Sequence, residues 1–371
     1  MVQYRAILRY RAFGMDTSAG VGERWRQRST MQNQDKTVIK QSKRAYFLLS
    51  KRRYREAEKI FLEAYALDPN NAYILVGLGD VSRKLKKFEK ALDYYEKCLE
   101  IDPRNVFALR GAGNAYRGLQ QPEKSMAYWE RYLECNPDDC HVMVRMADSY
   151  RKMGVYDEAE SLYRRAFEIG GNDKFANLGL GNLYYKIGDD TKALVHLERY
   201  LVLDRQNVAV LTMIGNLHQR HKNFNQASEY FEQALKLDQH NAFALYGLGN
   251  CKRGLQQLDE AVALWCKVLE QEPNNQNLYT RVGDALCAGN KLAEGRDYYL
   301  KALEIGFDQY ALLGLANICY RGGDLSNAEA YCLKVLDKFP DHGRTLKLLH
   351  AIYEDNGESE KARRIQAQLA D

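Results

Sequence analysis

One fifteen-residue phrase occurs twice in this chain, and the distance between its copies constrains the fold more than any other feature. FALRGAGNAYRGLQQ at residues 107–121 returns as FALYGLGNCKRGLQQ at 243–257, with eleven of the fifteen residues identical. The separation of 136 residues equals four times 34. A fixed period of this size is typical of chains built from stacked supersecondary units.

The whole chain after its first 37 residues divides on this period. Ten units start near residues 38, 72, 106, 140, 174, 208, 242, 276, 309 and 343, with one residue lost before 309. Each unit carries helical spacing of apolar residues in two segments with a turn between them, which predicts a helical hairpin. Units 3 to 5 match units 7 to 9, so we interpret the doubled phrase as the product of duplicating a block of four hairpins.

Three columns of residues recur when each unit is numbered from its own first residue. Position 8 is small, position 20 is alanine, and position 24 is bulky; we call the position 24 residue the knob. The members are Gly79, Gly113, Gly181, Gly215, Gly249 and Gly283 at position 8; Ala57, Ala91, Ala159, Ala193, Ala227, Ala261, Ala328 and Ala362 at position 20; and Phe61, Tyr95, Trp129, Tyr163, Phe231, Trp265 and Tyr299 at position 24. Small residues facing large ones let two helices reach native packing density.

The spacing L-G-x2-Y, then A-x3-F, then proline on a 34-residue period resembles the tetratricopeptide repeat family. The resemblance covers residues 38 to 371. It implies an all-α fold, a right-handed superhelical solenoid of about ten helical hairpins whose first helices line a concave groove. Residues 36–371 are therefore predicted to form the repeat array. Residues 1–35 fit no repeat and are predicted to be a basic, disordered N-terminal extension.

Composition restricts the class of protein further. A chain that is 46% hydrophobic and 28% charged is not disordered along its whole length. It contains no run of about 18 apolar residues, so no transmembrane segment is expected. Its N-terminus carries arginines where a secretory signal would need an apolar core, and we expect a cytoplasmic protein.

The eight cysteines have no metal-binding or disulfide pattern. None forms a CxxC pair, and Cys135 and Cys140, in CNPDDC, flank a turn between predicted helices. A zinc or disulfide role for these two residues is not favoured. We expect no metal and no cofactor.

The resemblance also implies where a ligand would bind, because contacts in this family come mainly from positions 2, 5, 6, 9, 12 and 13 of the first helices. Position 9 is a short polar residue in eight consecutive units, which we call the polar column: Asp80, Asn114, Asp148, Asn182, Asn216, Asn250, Asp284 and Asn317. Position 2 adds the aromatic residues Phe107, Phe175, Phe243 and Tyr310, and position 12 adds Arg117 and Arg253. Amides can hold the backbone of an extended peptide, while the aromatic and basic residues suit apolar anchors and acidic side chains.

Alternative roles for these residues stay open at this stage. The polar column can instead serve contacts between helices. Glycine at position 6 (Gly77, Gly111, Gly179, Gly247 and Gly314) either lowers the floor of the groove or tightens helix packing. Arg145 and Asp148 lie three residues apart, as do Arg281 and Asp284, so each pair can neutralise itself.

One binding mode of the family does not match this chain. The carboxylate clamp of some co-chaperones needs a basic residue and Asn in one unit, Asn at position 6 of the next, and two basic residues in the third. Unit 3 supplies Arg110 and Asn114, but unit 4 has Arg145 in place of Asn, and unit 5 has Phe175 and Gly179.

These features favour a non-enzymatic scaffold or adaptor that binds an extended protein segment along the concave groove. GAGNAYRG and GLGNCKRG lie inside predicted helices and follow no strand, so a phosphate-binding loop is excluded there, and no catalytic motif is present. The end faces of such an array also allow self-association. Nucleic acid is not favoured as a partner of the array.

The charge of the chain is concentrated at its N-terminal end. Residues 1–59 carry 15 Lys and Arg against 5 Asp and Glu, a balance of +10, whereas residues 60–371 carry 39 against 44, a balance of −5. An alternative function is therefore association of the basic end with nucleic acid or an anionic membrane surface. The favoured explanation of the basic N-terminal residues is an over-extended start of the chain, because the segment that Met31 opens runs directly into the first unit.

Overall fold

The computed structural model describes residues 36–171 and 173–370. This part of the chain forms twenty helices and contains no strand. Helix α1 spans 36–50. The others are α2 Tyr54–Leu67, α3 Ala72–Lys84, α4 Phe88–Ile101, α5 Val106–Gly118, α6 Pro122–Cys135, α7 Cys140–Met153, α8 Tyr156–Gly170, α9 Lys174–Ile187, α10 Asp190–Leu203, α11 Val208–Arg220, α12 Phe224–Leu237, α13 Ala242–Gly254, α14 Leu258–Gln271, α15 Gln276–Ala288, α16 Leu292–Ile305, α17 Gln309–Arg321, α18 Leu325–Lys338, α19 Gly343–Asp355 and α20 Ser359–Ala370. The expected all-α class of helical hairpins is confirmed.

Short polar residues start the first helix of most hairpins. The residue before the helix is Asn71, Asn105, Asp139, Asn207, Asn241, Asn275 or Asp308, and its side-chain oxygen accepts hydrogen bonds from backbone N–H groups of the first turn. These caps satisfy donors that a helix N-terminus leaves without intrahelical partners. The sequence therefore sets the start of each first helix locally.

A left-handed residue makes the turn within every hairpin. Arg52, Lys86, Gln120, Gly154, Gly188, Lys222, Gln256, Asn290, Gly323 and Gly357 all have positive φ, and they recur at the same position of successive units. Only four of the ten are glycines, so the other six side chains carry the steric cost of this conformation. The packing of the two helices outweighs that cost.

In three hairpins the knob, Tyr95, Phe231 or Tyr299, fills the space that two glycines leave open. A Cβ placed on Gly215 would lie 2.8 Å from Cε1 of Phe231, the knob of the same hairpin. A Cβ on Gly247, in the next hairpin, would lie 2.4 Å from Cζ of the same ring. The alanines predicted at position 20, from Ala57 to Ala362, are all fully buried. Small-against-large packing thus operates within hairpins and between them.

The described chain forms two compact parts, the N-terminal part up to Gly179 and the C-terminal part from Leu180 onward, with the boundary inside α9. In the N-terminal part, one buried apolar cluster runs from Val38 to Met146, and the first helices α3 and α5 contact each other. In the C-terminal part, buried clusters join neighbouring hairpins, and the first helices α11 and α13, α15 and α17, and α17 and α19 contact each other. We call the surface formed by the first helices the first-helix face.

Within the described residues, no helix is both long enough and apolar enough to cross a membrane. The predicted N-terminal extension, residues 1–35, lies outside the described part of the chain. Association of that basic end with nucleic acid or a membrane surface therefore stays a prediction.

Candidate ligand-binding surface

The three aspartates of the polar column have a structural partner in their own hairpin. Tyr95 Oη donates to Asp80 Oδ1 at 2.9 Å, and Tyr299 Oη donates to Asp284 Oδ1 at 2.7 Å. Tyr163 Oη donates to Asp148 in the same way. Each tyrosine is the knob of its hairpin, so the carboxylate satisfies the hydroxyl group of a ring that is otherwise buried. For these three members the structural alternative is supported.

The asparagines of the polar column belong to hairpins whose knob has no hydroxyl group. Asn114 and Asn250 accept from the arginine at position 6 of the following unit: Arg145 Nη1 lies 2.9 Å from Asn114 Oδ1, and Arg281 Nη1 lies 3.1 Å from Asn250 Oδ1. Asn317 Nδ2 donates to Leu313 O in its own helix. Amides at these positions therefore have one polar group engaged.

Asn182 and Asn216 differ from the other members of the polar column. Both are half-buried on the first-helix face, and neither side chain has a hydrogen-bond partner among the described residues. Their knobs are Leu197 and Phe231, which offer no polar group. The Nδ2 groups of Asn114 and Asn250 likewise have no partner among the described residues, so Asn182, Asn216 and Asn250 lie in three successive hairpins whose amides are available to a ligand.

The two ion pairs considered from sequence spacing do not form. Arg145 bonds Asn114 instead of Asp148, which is engaged by Tyr163 and by Arg151 at 3.4 Å. Likewise, Arg281 bonds Asn250. A spacing of three residues permits a pair on a helix, but the side chains at position 6 point toward the preceding hairpin, where the amide lies.

Glycine at position 6 serves packing between hairpins. Added Cβ atoms on Gly77, Gly111, Gly179, Gly247 and Gly314 would each lie 2.1–2.4 Å from the ring of the preceding knob. Where the preceding knob is tryptophan, the same position carries arginine. The alternative of a lowered groove floor is therefore wrong for this column, because the space belongs to the aromatic ring.

The predicted aromatic anchors are exposed. Phe107, Phe175 and Tyr310 are about half exposed, and Phe243 is 80% exposed, the largest fraction among the exposed large apolar side chains. Arg110 lies over the Phe107 ring at 5.9 Å, and Lys174 lies over the Phe175 ring at 5.1 Å. Exposed aromatic side chains on a regular face are common contact points for a partner.

The predicted basic margin is partly neutralised inside the protein. Arg83 pairs with Asp80 at 2.8 Å, and Arg220 pairs with Asp190 at 2.9 Å. Arg117 and Arg253 are exposed and lie over the knob rings of Trp129 and Trp265 at 5.8 Å and 5.9 Å. These last two guanidinium groups keep their charge toward solvent.

Sequence reasoning missed the role of Asp139, which caps α7. Its carboxylate accepts from Tyr132 Oη at 2.6 Å and from Val142 N at 3.1 Å, and it lies 4.0 Å from Arg110 Nη1. Burial opposes ionisation of this carboxyl, but the two hydrogen bonds and the nearby guanidinium together hold its pKa below the ordinary value. The signal was the Asn or Asp that precedes most first helices.

The net pKa shift is in the opposite direction for Asp284, because burial outweighs the groups that favour its ionised form. Removal from water raises the pKa of its carboxyl above the ordinary value, although the Tyr299 hydrogen bond and the charge of Arg253 favour the ionised form. Among residues 36–171 and 173–370, no group of three or more His, Cys, Asp or Glu side chains could hold a metal ion.

Comparison with known proteins follows the same period. Models of the tetratricopeptide repeat match residues 42–71, 72–105, 144–208, 212–276 and 283–342. A comparison with curated protein sequences found no significant match.

Several solved structures are similar to parts of the chain. A tetratricopeptide repeat protein from Parabacteroides merdae is 17% identical, with a TM-score of 0.49, over 68% of this chain and 99% of that one. YrrB, a tetratricopeptide repeat protein with an unusual peptide-binding site, is 21% identical, with a TM-score of 0.44, over 50% and 95%. The MamA protein is 24% identical, with a TM-score of 0.43, over 45% and 91%. Because repeat models match more than half of its residues, the chain belongs to the tetratricopeptide repeat family, whose members are generally non-enzymatic scaffolds for protein–protein interaction.

Proposed function

We propose that this protein is a non-catalytic adaptor that binds an extended segment of a partner protein along the first-helix face. The central contacts are Asn182, Asn216 and Asn250, in three successive hairpins. One observation carries the proposal: the amide donors of these three residues have no hydrogen-bond partner among the described residues.

The chemistry of an amide fits an extended backbone. Its NH2 group donates to a peptide carbonyl and its oxygen accepts from a peptide N–H, so it holds a backbone of any sequence. Contacting helices such as α11 and α13 lie about 8–10 Å apart, and an extended chain advances about 3.3 Å per residue. About one residue in three of a bound segment would then lie opposite an amide.

Aromatic side chains at position 2 supply the apolar part of the proposed contact. Phe243 is the second residue of α13, the helix that carries Asn250, and Tyr310 is the second residue of α17. A ring that is already rigid and exposed gains burial on binding at a low cost in conformational entropy. We therefore propose that the bound segment carries apolar residues between its backbone contacts.

The test compares proteins captured from a lysate by the full chain and by a variant with Asn182, Asn216 and Asn250 replaced by alanine. We expect the variant to lose the captured partner at least tenfold while its helicity, measured by circular dichroism, is unchanged. A matched control replaces Asn70, Asn225 and Asn274, three exposed asparagines outside the first helices. Equal capture by all three proteins contradicts the proposal and assigns the contact to another surface.

The binding segment can then be located directly. A photo-crosslinking residue at position 216 should form a crosslink to the partner, and one at position 225 should not. Crosslinks from both positions, or from position 225 alone, would contradict binding on the first-helix face.

A further inference from the structure

Four arginines of the N-terminal part line one cavity on the first-helix face. Arg83, Arg110, Arg117 and Arg145 belong to α3, α5 and α7, and Asn114 lies among them. We call these four residues the guanidinium cluster. No two of them are neighbours in sequence, so the fold alone brings them together.

Arg145 is the member of the cluster that has no carboxylate partner among the described residues. Its guanidinium is half-buried, its hydrogen bond goes to the neutral Asn114 Oδ1, and no described carboxylate lies within 4.0 Å. Burial lowers the pKa of Arg145, and the charges of Arg117 and Arg110 lower it further. A partly buried cation without a counterion is costly unless a ligand supplies the anion.

The nearby carboxylates do not balance the cluster. Asp80 is shared by Arg83 and Tyr95, and Asp139 is shared by Tyr132, Val142 N and Arg110. The cavity is also lined by Lys84, so five cations face these two carboxylates, a surplus of three positive charges.

The duplicated copy shows that packing around this hydrogen bond does not require four guanidinium groups. In that copy Arg281 makes the same bond to Asn250, at 3.1 Å, that Arg145 makes to Asn114. However, Tyr246 stands where unit 3 has Arg110, and Gln219 stands where unit 2 of the repeat has Arg83. The hairpins thus fold around the same bond with fewer guanidinium groups.

We propose that the guanidinium cluster binds a phosphorylated serine or threonine side chain in a partner protein. A phosphoryl group carries about −1.5 to −2 charge at neutral pH and presents three acceptor oxygens, which matches several converging guanidinium forks better than a single carboxylate does. The proposal concerns the N-terminal part of the chain and does not use Asn182, Asn216 or Asn250.

The surroundings of the cluster favour a peptide over a nucleic acid. Arg110 also lines an adjoining cavity with Phe107, Tyr132, Asp138 and Asp139. Phe107 is 60% exposed there and can contact an apolar side chain next to the phosphorylated residue. A nucleic acid carries a phosphate on every nucleotide, so its backbone would instead be repelled by the carboxylates of Asp138 and Asp139.

The experiment measures binding of a fluorescein-labelled Gly-Ala-Xaa-Leu-Gly peptide to the full chain, with Xaa as phosphoserine, serine or glutamate. We expect the phosphoserine peptide to bind about tenfold or more tightly than the other two, and to weaken as salt is added. Arg145→Gln, which keeps a donor for Asn114, should weaken it about tenfold, as should Arg117→Gln at an exposed site. The matched Arg281→Gln variant should stay within about twofold of wild type.

Three results would overturn the proposal. They are equal binding of the phosphoserine and serine peptides, equal loss from Arg145→Gln and Arg281→Gln, and tighter binding of a 5′-phosphorylated RNA decamer than of the phosphopeptide. Unchanged thermal unfolding of Arg117→Gln shows that its loss is not a folding defect. The Asn182, Asn216 and Asn250 triple-alanine variant should keep phosphopeptide binding, so failure of the amide contacts and failure of the cluster are distinguishable.

Discussion

Single residues on the first-helix face take their roles from the residue that packs beside them. In units 2 to 9, hairpins with a tyrosine knob carry aspartate at position 9, as in the pair of Asp80 and Tyr95, whereas hairpins with Trp, Phe, Leu or Cys there carry asparagine. A buried hydroxyl group needs an acceptor, and an ionised carboxylate is the stronger one. This match is readable from the sequence, although only the structure shows which atoms meet.

Asp139 gives a test at the residue scale. Asp139→Asn keeps a side chain that can cap α7 but removes the charge near Arg110, so we expect a loss of about 1 kcal/mol of unfolding free energy at pH 7. The folded-state pKa of Asp139 lies below its ordinary value of 3.8. Its stabilisation is therefore present above that value and is lost as pH falls through the lower, folded-state pKa.

Urea unfolding of wild type and Asp139→Asn, measured from pH 7 to pH 3, checks this expectation. The difference between the two proteins should shrink only in the acidic part of the series, as the pH falls below 3.8. A constant difference over the whole series would show that the charge of Asp139 contributes nothing to stability.

Three hairpins are held at their spacing from the next hairpin by one aromatic ring between two glycines. Tyr95 lies against Gly79 of its own hairpin and Gly111 of the next, and Tyr299 lies in the same way against Gly283 and Gly314. Glycine inside a helix costs about 1 kcal/mol relative to alanine. The repeated use of glycine here shows that the gain from close packing exceeds that cost.

Gly247→Ala tests this packing at the element scale. Its Cβ would lie 2.4 Å from the Phe231 ring, so we expect a net loss of about 1–3 kcal/mol despite the better helix propensity of alanine. Adding Phe231→Leu should recover part of the loss, because Leu197 already fills the same position of another hairpin. Chemical denaturation of the single and double variants measures both effects.

Gly343→Ala is the matched control for Gly247→Ala. Gly343 is the first residue of α19, and an added Cβ there would meet no atom within 4 Å. We expect this substitution to leave stability unchanged or slightly raised. A loss equal to that of Gly247→Ala would mean that contact with the knob does not explain the glycine column.

The molecule as a whole is stabilised by contacts between neighbouring hairpins. Within the N-terminal part and within the C-terminal part, helices contact the next helix in the chain, and first helices contact the first helix of the adjacent hairpin. In such an array, stability is close to a sum of hairpin terms and nearest-neighbour terms. A local change should therefore spread only a short distance.

Hydrogen exchange of the Gly247→Ala variant tests this at the scale of the molecule. We expect faster exchange in α11 to α14, the helices nearest to residue 247, and unchanged exchange in α2 to α5. Mass spectrometry of peptic fragments, with wild type as the reference, resolves these regions. Uniformly faster exchange would show that the chain opens as one cooperative unit.

The sequence by itself determined the period, the hairpins and the small and large columns, because helical spacing, caps and side-chain volume act over a few residues. The first helices begin at residues that the period indicated, such as Ala72, Val106 and Val208. Only the tertiary structure decided which polar groups meet. Arg145 reaches Asn114, 31 residues away, instead of Asp148, three residues away, because packing between hairpins fixes the direction of each side chain and local spacing does not.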